Sequence, residues 1–106
     1  MPKYLIKARY TAQGLKGLQE EGGTRRKESI SNALSALGGK LEAMYFAMGD
    51  DDVVVIADAP DNAAIAAVGI AVSATGSVRT ETVALLTPEE IDKAVKHKIN
   101  YRPPGR

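Results

Sequence analysis

Apolar and polar residues alternate at the start of the chain. Tyr4, Ile6, Ala8 and Tyr10 fall on one side of the segment Lys3 to Tyr10, and Lys3, Leu5, Lys7 and Arg9 on the other. That period of two predicts a strand. Thr11-Ala12-Gln13-Gly14 reads as the turn that follows. The period then lengthens to that of a helix reaching about Leu37, interrupted at Gly22-Gly23. Ile30, Ala33, Leu34 and Leu37 have i, i+3, i+4, i+7 spacing and predict one buried stripe. Gly38-Gly39 predicts the helix end, because glycine takes the left-handed conformation of a C-cap without strain.

Two further strands are predicted, Lys40 to Met48 and Asp52 to Asp58, joined through Gly49-Asp50-Asp51. Val53-Val54-Val55-Ile56 is apolar on both faces, which implies cover on both sides. Pro60-Asp61-Asn62 predicts a helix start, with Asp61 or Asn62 as the cap. The helix from Ala63 to about Ala74 has no charged residue, and an all-round apolar helix is expected to be buried all round. Val78 to Leu86 reads as the fourth strand. Thr87-Pro88-Glu89-Glu90 predicts a capping box with proline at the first helical position. It opens a short helix with Ile91, Ala94 and Val95 on one side. Residues 1–95 form one expected domain, and 96–106 a basic tail containing proline and glycine.

The order β-α-β-β-α-β predicts an α+β fold: a four-stranded antiparallel sheet with two helices on one face. In this topology the first strand lies between the third and fourth. The other sheet face is left bare. Together with the doubly apolar third strand and the apolar helix, that predicts a homodimer or larger. Aspartate at Val55 or Ile70 is then expected to disrupt assembly or folding, since it buries an unpaired charge.

Composition removes several classes of chemistry. The chain has 106 residues, no cysteine and one histidine. Disulfides, thiolate metal ligands and thiol nucleophiles are excluded. The net charge of +1 is unevenly spread. Residues 1–40 carry eight Lys/Arg and three Glu, residues 41–90 one Arg and nine Asp/Glu, and residues 91–106 five Lys/Arg and one Asp. The acidic central block argues against nucleic acid as a partner. No stretch approaches the roughly 18 apolar residues of a membrane span. The first residues lack the apolar run of a signal peptide, so the expected location is the cytoplasm.

The chain resembles the GYD domain family of small bacterial proteins. The resemblance rests on Tyr4-Leu5-Ile6, Tyr10-Thr11-Ala12-Gln13-Gly14, Gly22-Gly23-Thr24-Arg25-Arg26 and Gly38-Gly39-Lys40-Leu41-Glu42-Ala43. It continues through Tyr45-Phe46-Ala47-Met48-Gly49, Asp52-Val53-Val54-Val55, Pro60-Asp61-Asn62 and Leu85-Leu86-Thr87-Pro88-Glu89-Glu90. Asp50-Asp51 departs from the Gly-Tyr-Asp signature of the family, since no tyrosine lies between Gly49 and Asp52. The resemblance implies a ferredoxin-like fold assembled as a dimeric α+β barrel. It supplies no catalytic residues.

The candidate sites follow from this frame. Lys7 and Arg9 on the first strand are expected beside Arg79 and Glu81 on the fourth. They would point into the cavity of a dimer, where an excess of cations suits a small anionic ligand. Their simpler use is to pair with one another. Tyr10 and Tyr45 are candidate hydrogen-bond donors in a cavity, though most strand tyrosines pack. Thr24, Arg25 and Arg26 follow a glycine pair and form a candidate anion site, without the Gly-Lys-Ser/Thr ending of a phosphate loop. Asp50, Asp51 and Asp52 lack the spacing of a calcium loop and read as a polar turn. His97 lies in the basic segment near the end. A lone histidine without cysteine makes no structural zinc site, and no cofactor is called for. The function expected is that of a homo-oligomeric ligand-binding or structural protein. The alternative is a cofactor-independent enzyme of the monooxygenase or isomerase type working in the barrel cavity, an analogy of fold.

Overall fold

The computed structural model describes residues 1–105. The elements are β1 (Lys3–Tyr10), α1 (Ala12–Ala36), β2 (Lys40–Phe46), β3 (Val53–Asp58), α2 (Asn62–Ala74), β4 (Val78–Leu85) and α3 (Pro88–Ala94). The four strands form one antiparallel sheet in the order β2-β3-β1-β4. This is the α+β, ferredoxin-like arrangement, with β1 between β3 and β4 as the element order predicts.

Alternation in β1 decides which face meets the helices. Tyr4, Ile6 and Ala8 are buried beneath α1 and α2, with Leu34, Val53, Val55, Ala57, Ile65 and Val68 completing the core. Helix α1 packs on β2 and β1, and α2 packs on β4. The buried Tyr4 hydroxyl donates to Asn62 Oδ1 at 2.6 Å, tying the central strand to the start of α2. Val55 therefore belongs to the core of the single chain, whereas Val54 and Ile56 lie on the other sheet face.

Helix α1 begins earlier than the sequence predicts. The segment Thr11-Ala12-Gln13-Gly14 is its first turn, not a separate loop. Thr11 is the N-cap, accepting from the Gly14 N–H. Its backbone N–H donates to the Ser77 carbonyl at 3.0 Å, which fixes the helix start against the turn before β4. The interruption sits at Gly22, whose φ of 81° breaks α1 into two segments. The expected end at Gly38-Gly39 is found: Gly38 has φ 78°, and the Gly39 N–H reaches back to the Leu34 carbonyl at 2.8 Å.

The hairpin strands are shorter than predicted. β2 stops at Phe46 and β3 starts at Val53. Asp52 instead accepts the Tyr10 N–H on its carboxylate at 2.8 Å and donates its own N–H to Ala8 at 2.8 Å. A bulge at Leu41/Ala43 shifts the register of β2. Asp61 caps α2 through the Ala64 N–H at 2.8 Å. Thr87 and Glu90 close the complete capping box of α3. No residue of α3 is buried. The radius of gyration is 16.9 Å, against about 13 Å for a compact domain of this length. The C-terminal segment thus projects from the sheet.

The all-round apolar α2 is not covered by its own chain. Ile65 and Val68 are buried, but Ile70 is 70% exposed. No helix of the described residues is long and apolar enough to cross a membrane.

Candidate functional site

The sheet has two unlike faces, and each forms a concavity. On the face away from α1 and α2, opposed pairs are set by register. Lys7 stands opposite Glu81, Arg9 opposite Arg79, and Leu5 between Ile56 and Val83. Ala43 lies opposite Ile56 and Tyr45 opposite Val54. The centre of this open face is therefore an apolar band crossing all four strands, with Tyr45 72% exposed.

Charges flank the band at both ends. At one end the Lys3 ammonium lies 2.9 Å from both Glu42 and Asp58. Hydrogen bonds to Glu42 and then Asp58 raise its pKa above the ordinary lysine value. At the other end Lys7, Arg9, Asp51, Arg79, Thr80 and Glu81 surround a depression of about 310 Å³. Lys7 is 3.2 Å from Glu81 and 3.9 Å from Asp51, and Arg9 is 3.5 Å from Asp51. Arg79 joins no ion pair among the described residues. Three cations thus face two carboxylates. While water reaches them, each pair contributes only about 0–1 kcal/mol. The structure brings together Lys7, Arg9, Arg79 and Glu81 as the strand order predicts. It adds Asp51, swung in by the hairpin between β2 and β3.

Tyr10 lies on the opposite face, apart from these four. Its side chain lines a cavity of about 440 Å³ between the sheet and the two helices. The walls are mainly apolar, including Ile6, Ile30, Leu34, Met44 and Val72. Two glycines shape the rim. A Cβ on Gly14 would collide with the Ser77 carbonyl, and one on Gly69 would come within 3.4 Å of Thr80 Oγ1.

Arg26 reaches this cavity from the second segment of α1, while Thr24 and Arg25 are exposed. The Arg26 guanidinium stands 3.8 Å from Glu21, beyond hydrogen-bond distance, and its buried Nε has no hydrogen-bond partner. Burial pushes the Tyr10 phenol above its ordinary pKa, and the Arg26 charge opposes that rise. Sequence reading singled out Tyr10 and Arg26 separately and did not join them. It passed over Glu21. One signal was present: Arg26 lies four residues before Ile30, so the buried stripe of α1 runs back through it.

Asp50, Asp51 and Asp52 do not converge: Asp51 pairs with Lys7 and Arg9, and Asp52 serves the Tyr10 backbone. Among the described residues no group of three or more His, Cys, Asp and Glu could hold a metal ion. His97 is exposed, beyond the end of α3.

Neither a curated protein nor a solved structure matches this chain. The GYD domain model does, over residues 4–95, from the start of β1 to the end of α3. With that span, which includes the sheet, both packed helices and each concavity, the chain belongs to the GYD domain family.

Proposed function

We propose that this protein is a small homo-oligomeric ligand-binding protein in which two copies meet across their open sheet faces, as in a dimeric α+β barrel. The observation that carries this reading is the apolar band of Leu5, Ala43, Tyr45, Val54, Ile56 and Val83. An antiparallel face in water is expected to be polar. This face has charges only at its two ends. An apolar centre within a polar rim is the pattern of a protein–protein interface. The outward apolar side of α2 and the projecting α3 segment, with Val95 and Ile99 exposed, supply further surface for a second copy.

Pairing would withdraw Lys7, Arg9, Asp51, Arg79 and Glu81 from water. The surplus cation then needs an anion, because an unpaired charge out of water is strongly destabilising. A small anionic ligand in the enclosed depression meets that need. Ile56→Asp tests the pairing. Ile56 is half-buried at the middle of the band, so the aspartate stays hydrated in a monomer and would be trapped in the interface of a dimer. Sedimentation equilibrium should show an assembled wild type and a folded, monomeric variant. A variant with wild-type mass refutes pairing through this face.

A cofactor-independent enzyme is the second reading. One observation favours it: the Tyr10 phenol lines a cavity and makes no hydrogen bond among the described residues. It requires chemical turnover of a molecule recovered with the protein and loss of that turnover in Tyr10→Phe.

A further inference from the structure

We propose that the cavity between the helices and the sheet binds an uncharged, largely apolar small molecule carrying a hydroxyl or carbonyl group, its apolar body over Ile6, Leu34 and Val55 and its polar group toward Tyr10 and Ser77. The cavity lies on the opposite sheet face from the charged depression, so this site does not depend on the pairing of chains.

Three observations converge on it. The first is space that the chain does not fill. Helix α1 packs on β2 and β1, and α2 on β4, which leaves between them a cavity of about 440 Å³ lined by core residues such as Ile6, Val53, Val55 and Val68. Folded interiors hold few voids larger than a water molecule. This one falls within the roughly 300–1,000 Å³ of small-molecule sites. Gly17 lines it from within α1, where glycine is a weaker helix former than alanine. Its missing Cβ would meet no atom within 4 Å, so the chain's own packing does not require a glycine there. The bare position widens the cavity.

The second is charge. Arg26 and Glu21 are the charged residues of the lining, and they cancel, Glu21 standing 3.8 Å from Arg26 Nη1. The Arg26 Nε is enclosed by the protein itself and offers a ligand no surface. Asp52, on the Tyr10 N–H, adds further negative charge nearby. An anion entering the cavity therefore meets no free cation, and a cation finds Glu21 already facing Arg26. Either ion would lose its water with no countercharge in return, which is strongly unfavourable. The third is the placement of uncharged polar groups. Tyr10, Gln13 and Ser77 gather where the start of α1 touches the turn before β4. Their side chains make no hydrogen bond among the described residues. Thr75 and Thr80, also in the lining, are engaged, with the Val72 carbonyl at 2.8 Å and with Ser73 Oγ at 3.4 Å. Burial raises the Tyr10 pKa, so the phenol is a neutral donor. A hydroxyl or carbonyl at this end uses the capacity these three leave free, and an apolar body covers the remaining walls.

Calorimetric titration at neutral pH with 2-naphthylmethanol, 2-naphthoate and 2-naphthylmethylammonium, which share one apolar body, tests the proposal. Wild type should bind the alcohol at least about tenfold more tightly than either ion, because each ion must be desolvated without a countercharge. Tyr10→Phe should weaken the alcohol by about threefold to tenfold, the loss of one hydrogen bond. Gly17→Leu sets a side chain into the cavity from a position where no atom opposes it. It should melt no lower than wild type and lose the alcohol. Tighter binding of either ion, equal affinity for all three, no binding of any, or full alcohol affinity in Gly17→Leu overturns the assignment even where Tyr10→Phe fails to fold. Alcohol affinity that falls as protein concentration rises means that a second copy fills the cavity, which overturns it too. Sedimentation of the same samples separates the two readings: a monomer that prefers the alcohol contradicts chain pairing and leaves this site standing.

Discussion

Gly14 and Gly17 occupy the same helix three residues apart, and alanine at the two positions should act with opposite sign. Glycine in a helix interior is less favourable than alanine by about 0.8–1 kcal/mol. Gly17 has no atom within 4 Å of a would-be Cβ, so Gly17→Ala should gain most of that amount. Gly14 is buried in the first turn of α1, and its added Cβ would strike the Ser77 carbonyl. That oxygen is backbone and already accepts the Thr11 N–H at 3.0 Å, so it cannot rotate away. Helix and turn must separate, and forced overpacking of this kind costs about 1–3 kcal/mol. Because the obstruction is backbone rather than a flexible side chain, the upper part of that range, about 2–3 kcal/mol, applies, and offsetting a helix gain of about 1 kcal/mol leaves Gly14→Ala less stable by about 1–2 kcal/mol. For a domain of this size that lowers Tm by roughly 5–15 °C, while Gly17→Ala raises it by a few degrees. Thermal unfolding followed by circular dichroism, at one fixed protein concentration, reads both changes. A Gly14→Ala variant as stable as wild type would refute the close approach of α1 to the β4 turn.

Two smaller effects follow from other positions. Because the folded chain holds the Tyr10 phenol above the ordinary tyrosine pKa of 10.0, its contribution is intact below that pH and fades as pH climbs through the raised value. Tyr10→Phe should therefore lose less stability than wild type above pH 10, and parallel alkaline unfolding curves for the two proteins would contradict this. Thr87→Ala removes one half of the α3 capping box, a loss of about 1 kcal/mol. Since α3 buries no residue, the loss should appear as faster hydrogen exchange in α3, with the global melting temperature unchanged.

Much of the fold could be read from the residues because local rules and packing agree. Strict alternation in β1 assigned Lys7 and Arg9 to the face that Arg79 and Glu81 share. Thr87-Pro88-Glu89-Glu90 and Gly38-Gly39 behave in the folded chain as their chemistry dictates. The start of α1 is ambiguous in the residues alone, because threonine and glycine serve turns as well as caps. What decides between them is the Thr11 contact to Ser77, which lies 66 residues away in sequence. Hairpin length was equally hidden, since Asp52 leaves the strand pattern to serve the Tyr10 backbone. That same loop carries Asp51 into the charged depression, so the full ion-pair set could not be read from strand patterns alone. The cavity was not legible either. It depends on α1 and α2 packing over different strands, and no periodicity along one helix reports its distance from another. The apolar surface of α2 states a need for cover, and in the single chain Ile70 has none.

The central claim is that this GYD-domain chain works as an assembled, ligand-bearing protein. Native mass spectrometry of material purified gently from its source tests it most directly. The expected result is a species at twice 11.2 kDa or a higher multiple, carrying additional small-molecule mass. A bare species at the mass of one chain would contradict it.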